Sequence, residues 1–141
     1  MNHDASYPPD YIREILDEVK TIAVVGASPK PERPSYGVMR RLISAGYEVI
    51  PVNPGQAGKE ILGQKVFATL ADIGRPVDMV DVFRQKSALK GVAEEAVAIG
   101  AKVLWSQLDV VDPAAAQLAE EAGLKVVMDR CPAIELHKLG R

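Results

Sequence analysis

The sequence predicts an α/β, doubly wound fold: a mostly parallel five-stranded sheet between helices, in three layers. Three observations predict it. Apolar runs of strand length alternate with segments of helical spacing along nearly the whole chain. The strand-like runs are continuously apolar rather than alternating, as expected of strands covered on both faces. The helical segments between them supply the crossovers that parallel strands require.

Taken in order, residues 1–9 read as a flexible arm. Asp10–Lys20 places Tyr11, Ile12, Ile15, Leu16 and Val19 at helical spacing. "TIAVVG" is rich in β-branched residues and forms the first strand. Pro34–Ala45 carries Val38, Met39, Leu42 and Ile43 on one helical face and stops at Gly46. "YEVIPVN" is the second strand, and Pro51 within it points to an edge position or a strand end. Residues 53–65, "NPGQAGKEILGQK", hold enough turn formers to be a loop. "TLADI" makes one helical turn capped by Thr69, and "DMVDVF" is the third strand. Ser87–Gly100 is a helix with Leu89, Val92, Ala93, Ala96, Val97 and Ile99 apolar, and "AKVLWSQ" is the fourth strand. Asp112–Ala122 begins with an N-cap aspartate followed by proline. "LKVVMD" is the fifth strand, and a short helix runs from Pro132 to Leu139.

The length of 141 residues fits a single domain, 1–141, and the 48% apolar content is enough for a core without disulfides or metal. Seventeen basic residues face nineteen acidic ones, which argues against a nucleic-acid surface but leaves room for a local anion site. One cysteine, Cys131, excludes an internal disulfide and fits the cytoplasm. The N-terminal residues lack a signal-peptide pattern, and no apolar run is long enough to span a bilayer.

In doubly wound sheets ligands bind beyond the C-terminal strand ends, where the strand order switches. That rule selects Gly26–Arg33, Asn53–Lys59, Phe83–Lys86, Ser106–Asp109 and Asp129–Cys131. The first of these is the richest. Gly26 allows a sharp turn, Ala27 and Ser28 allow close approach, and Lys30 and Arg33 bring positive charge. The helix starting near Pro34-Ser35 adds unpaired N–H groups and a partial positive charge. The combination is a candidate phosphate cradle. The bland alternative is a tight strand-to-helix connection.

The fold is Rossmann-like, yet the dinucleotide fingerprint G-x-G-x-x-G is not met. "GASPKP" keeps only its first glycine, and the helix-packing glycine is missing unless Gly37 serves. The acidic residue expected after the second strand is replaced by Asn53-Pro54. A Walker A loop is absent.

Five segments in order resemble the CoA-binding domain proteins, related to the nucleotide-binding domain of the succinyl-CoA synthetase α subunit. They are "VVGASPKPERPSYGVMRRLISAGYEVIPVNP", "ILGQKVFATLADI", "VDMVDVFR", "GAKVLWSQL" and "VVMDRCPAIE", spanning Val24 to Glu135. The likeness is to the small stand-alone branch. It implies non-catalytic binding of coenzyme A or an acyl-CoA, with the phosphates held by Gly26, Ala27, Ser28, Pro29 and Lys30. Arg33, Ser35 and Tyr36 adjoin that loop. It further implies ligand contacts from Asn53, Pro54, Phe83 and Arg84. Gln56 stands where relatives carry a lysine, so Lys59 or Arg33 is left to supply that charge. Phe83 suits adenine or the pantetheine arm, or simply a half-buried strand end, and Gln107 lies at a strand end within reach of a ligand.

Catalytic machinery is not legible. His3 and His137 fall in no motif, no His/Cys cluster has metal spacing, and no nucleophile–base set can be assembled. Asp78, Asp81 and Asp129 lie at strand positions, with Asp81 and Asp129 able to approach a pocket. Cys131, before a helix start, is either a thiol poised for a mixed disulfide or an inert buried side chain. Trp105 reads as core or interface. Two other functions stay open: an enzyme modifying CoA thioesters with a partner protein, and an NAD-type sensor.

Overall fold

The computed structural model describes residues 1–141. Helix α1 (Tyr11–Glu18) leads into β1 (Thr21–Val25), followed by α2 (Pro34–Ser44) and β2 (Glu48–Val52). A hairpin of β3 (Glu60–Ile61) and β4 (Gln64–Lys65) comes next, then β5 (Met79–Val82), α3 (Lys86–Ala98) and β6 (Val103–Ser106). The chain ends with α4 (Pro113–Glu121), β7 (Lys125–Val127) and α5 (Pro132–Lys138). The five long strands pair in parallel in the order β2-β1-β5-β6-β7. The chain travels outward from β1 to β2, then returns to lay β5 on the other side of β1. The order therefore switches between β1 and β5.

Side-chain alternation divides the core between the two sheet faces. Ala23, Val25, Val80, Val82 and Leu104 pack with Leu89, Val92, Ala96, Ala115 and Ala119 of α3 and α4. Ile22, Val24, Met79 and Trp105 face Ile15, Leu16, Met39, Leu42 and Leu136 of α1, α2 and α5. This is the three-layer, Rossmann-like α/β arrangement expected from the continuous apolar strands. Most helix ends lie a residue or two inside the sequence boundaries, as fraying ends do, while α3 starts one residue earlier, at Lys86.

Pro51 does sit on an edge strand. Glu48 donates to Lys20 O and Val52 O accepts from Gly26, so the intervening Pro51 turns its nitrogen away from β1. No ladder bond is lost there. On that outer side Phe67 N–H donates to Pro51 O and Asn53 N–H donates to Phe67 O, so residues 66–67 seal the upper part of the edge.

Two expectations need correcting. Residues 53–65 are not merely a loop: a 3₁₀ turn at Pro54–Gln56 precedes the β3–β4 hairpin. Residues 1–9 are not a loose arm, because they dock along β7. His3 is 9% exposed, and its Nδ1 lies 2.7 Å from the Tyr7 hydroxyl. That hydroxyl accepts from Met128 N–H at 2.7 Å. The Tyr11 hydroxyl accepts from Val126 N–H at 3.0 Å and donates to Val126 O at 2.9 Å. The two tyrosine rings stack with centroids 5.6 Å apart, and burial raises the pKa of both phenols.

Candidate functional site

The C-terminal ends of β1, β5 and β6 converge on the switch in strand order, and two clefts open there. Gly26, Phe83 and Arg84 form their shared wall. Gly26 takes φ +88°, a left-handed conformation that favours glycine. It lies against Phe83 because β1 and β5 are tied above it by Phe83 N–H donating to Val25 O at 2.8 Å.

The first cleft, of about 700 Å³, gathers Ser28, Lys30 and Arg33 from the β1–α2 loop and Ser35 from the first turn of α2, with Gln107, Leu108 and Val110 from beyond β6. The second, of about 490 Å³, lies on the β2 side and adds Asn53, Pro54, Ala68, Thr69 and Glu95. Of the residues selected from sequence, Gly26, Ser28, Lys30, Arg33, Ser35, Phe83, Arg84 and Gln107 thus meet in one cleft, and Asn53 and Pro54 in its neighbour. Three do not line either cleft. Ala27 is fully buried in the layer of α1, α2 and α5. Tyr36 packs half-buried against the same layer, and Pro29 is exposed on the outside of the loop. Gln56 and Lys59 also lie outside both clefts.

The loop does not present a row of free backbone amides, as its sequence suggested. Gly26 and Ala27 N–H donate to Val52 O. Ser28 N–H donates to Ser35 Oγ at 3.1 Å, and Lys30 N–H donates to Ser28 Oγ at 3.2 Å. Each serine oxygen accepts from backbone and keeps its own hydroxyl hydrogen to give. An anion here would meet hydroxyl donors and side-chain cations more than bare amides. Asn53 ties the loops together: its Nδ2 donates to Ala27 O at 2.7 Å and its Oδ1 accepts from Gly55 N–H at 2.9 Å.

Lys30, Arg33 and Arg84 are exposed, and none takes part in an ion pair. The first cleft holds no carboxylate to offset them. Its far rim is apolar, with Phe83 and Val110 half-buried and Leu108 51% exposed. A chain that is net acidic thus concentrates cations beside an apolar surface. Such a cleft can hold a molecule that joins phosphate groups to a less polar arm.

Two acids expected near a pocket do not reach these clefts. Asp81 is fully buried on β5, on the face shared with Val24 and Trp105, and neither carboxylate oxygen has a hydrogen-bond partner. Burial pushes its pKa well above the ordinary carboxylate range and so favours the neutral acid. Asp129 Oδ1 instead accepts from Asp109 N–H at 2.6 Å and braces the β6 end. Asp78 caps the start of β1 by accepting from Lys20 and Thr21 N–H. Burial alone would raise its pKa, but those N–H groups and the Lys102 charge outweigh it and hold the carboxyl below its usual value.

Trp105 is core, its Nε1 donating to Arg130 O at 2.8 Å, and Cys131 is buried ahead of α5. No three His, Cys, Asp or Glu side chains are grouped to hold a metal ion, and no helix is long and apolar enough to cross a membrane. Leu108, Val110, Thr69 and Glu95 were not singled out from sequence. Leu108 fell inside the window after the fourth strand and was detectable, whereas Glu95 sits mid-helix where nothing marks it.

The family model described as "CoA binding domain" matches residues 20–137. The uncharacterized protein YneT of Bacillus subtilis (strain 168) is 46% identical over 120 residues, covering 85% of this chain and 87% of that protein. The acetate–CoA ligase [ADP-forming] I subunit alpha of Pyrococcus furiosus is 35% identical over 117 residues, covering 80% of this chain but 24% of the subunit. The solved structure of a hypothetical protein from Pyrococcus horikoshii OT3 superposes with a TM-score of 0.89 at 40% identity, covering all of both chains.

Proposed function

The chain belongs to the CoA-binding domain family, and from that premise we propose that it binds coenzyme A or an acyl-CoA without catalysis of its own. The observation that carries the proposal is the set of three unpaired cations, Lys30, Arg33 and Arg84, at the switch in strand order beside Phe83 and Leu108. The CoA headgroup is a polyanion and its pantetheine arm is far less polar. Hydroxyl hydrogens of Ser28 and Ser35 and the three cations serve the phosphates. The Phe83–Leu108 side serves the arm. The whole chain acts as one domain in the cytoplasm, either holding CoA or delivering it to a protein partner.

Calorimetric titration with CoA, ADP and NAD tests the proposal. CoA is expected to bind more tightly than either nucleotide, with affinity falling as salt rises because the contacts are exposed charges. No detectable heat from CoA at millimolar concentration would defeat it. Tight NAD binding without CoA binding would replace it with the dinucleotide-sensor reading.

A further inference from the structure

Residues 128–130, just beyond β7, grip the segment that forms the apolar rim of the first cleft. Arg130 N–H donates to Ser106 O at 3.3 Å, Asp109 N–H to Asp129 Oδ1 at 2.6 Å, and Asp112 N–H to the Met128 sulfur at 3.5 Å. Within the segment, Val110 N–H donates to Gln107 O at 3.0 Å and the Ser106 hydroxyl donates to Val110 O at 2.6 Å. The two aspartates joined in the middle both take left-handed backbone, φ +67° at Asp109 and φ +59° at Asp129. Such a conformation in a residue with a side chain persists only where the surroundings impose it. Arg130 steadies the acceptor: its Nη1 donates to Asp129 O at 2.7 Å and lies 3.8 Å from Asp129 Oδ2. What this strained, clamped turn displays is Leu108, 51% exposed on the wall of the cleft. Leu108 belongs to neither core layer, so the fold gains little from holding it there.

We propose that Asp129 is a positioning residue for ligand binding: by holding Asp109 N–H it sets Leu108 against the less polar arm of a CoA-type molecule. This rests on the CoA-binding reading and deepens it. Asp129 lines neither cleft, so it acts through the turn and not by touching the ligand. Without the clamp, the turn is free to relax its backbone and carry Leu108 off the rim.

The test is titration of the full chain, Asp129→Gly and Asp129→Asn with CoA and with ADP, which lacks the pantetheine arm. Glycine keeps the left-handed backbone but removes the acceptor, whereas asparagine keeps both. Asp129→Gly should weaken CoA binding by about fivefold or more and leave ADP binding within about twofold. Asp129→Asn should restore most of the CoA affinity. Leu108→Ala, a change outside both core layers, gives an independent reading should Asp129→Gly fail to fold. It should weaken CoA binding by about threefold or more, spare ADP, and add little when combined with Asp129→Gly. Equal losses for CoA and ADP, an asparagine variant no better than the glycine one, or unchanged CoA binding by Leu108→Ala each overturn the inference and leave the CoA reading standing. Failure of the natural chain to bind CoA overturns the reading on which it rests.

Discussion

The Phe83 carbonyl occupies the space that any side chain on Gly26 would need: a Cβ at Gly26 would lie 2.6 Å from Phe83 O and 3.1 Å from Phe83 C. The obstacle is backbone, so it cannot swing aside, and the φ of +88° adds strain for any other residue. Gly26→Ala is expected to cost about 2–4 kcal/mol of stability and to weaken ligand binding by opening the shared wall of the clefts. Urea unfolding measures the first effect. A change below about 0.5 kcal/mol, the level of an ordinary surface substitution, would show that the two strand ends do not meet so closely.

Lys30 and Arg33 are exposed loop residues without ion partners, so their roles can be separated from folding. Lys30→Glu and Arg33→Glu should each weaken CoA binding by about tenfold or more, given roughly 1.5–3 kcal/mol for a hydrogen bond to a charged group. Melting temperatures should stay within a degree or two, because nothing in the fold leans on either side chain. Unchanged affinity in either variant removes that residue from the site.

Ser35 makes a different kind of contribution, since its buried hydroxyl holds Ser28 N–H. Ser35→Ala leaves that N–H without its acceptor and should cost about 1 kcal/mol of stability. It should also weaken CoA binding, because a donor hydroxyl leaves the cleft. Ser35→Thr, which keeps the hydroxyl, should restore part of the affinity. Equal binding by all three proteins would show that the hydroxyl does not face the ligand.

Asp81 gives the fold a pH dependence of definite sign. Its folded pKa is raised by burial above the unfolded value of about 3.9. Its neutral form is therefore fully accommodated below that unfolded value, and stability is lost as pH climbs toward the folded pKa. Asp81→Asn cannot ionise and should not show that loss. Urea midpoints at pH 4 and pH 8 for both proteins decide the matter. If the difference between the two pH values is the same in the variant, the Asp81 carboxyl is not buried as described.

Tyr11→Phe removes one oxygen that satisfies both backbone groups of Val126. The expected cost is about 1–3 kcal/mol, the penalty for groups left without partners. Amide exchange at Val126 should quicken more than at Leu104 inside the sheet. Equal protection in the variant would mean that the N-terminal residues do not dock on β7.

The five sheet strands were readable because each is buried on both faces, so "TIAVVG" and "AKVLWSQ" stand out as apolar blocks. The strand-end rule then found the convergence of Gly26, Lys30, Phe83, Arg84 and Gln107 without coordinates. The β3–β4 hairpin escaped for a local reason. Its turn places Leu62 at φ +52° and Gly63 at φ +78°, and leucine at the first position hides the Asn-Gly or Asp-Gly signal such turns usually show. Docking of residues 1–9 escaped because Tyr7 and Tyr11 bond to main-chain groups of a strand more than a hundred residues away, and main-chain groups have no letter in the sequence. The engaged loop amides escaped for a similar reason: serine at position 35 looks like an ordinary helix-start residue until its hydroxyl is seen on Ser28.

The phenols along β7 also occupy main-chain groups at the margin of the sheet. An uncovered final strand would be a template on which a neighbouring molecule could add its own strand and continue the ladder. With Val126 and Met128 already engaged, that margin has nothing left to offer. Stripping away the first eleven residues should bare those groups and make the shortened chain more prone to stack into filaments or precipitate on standing than the full one.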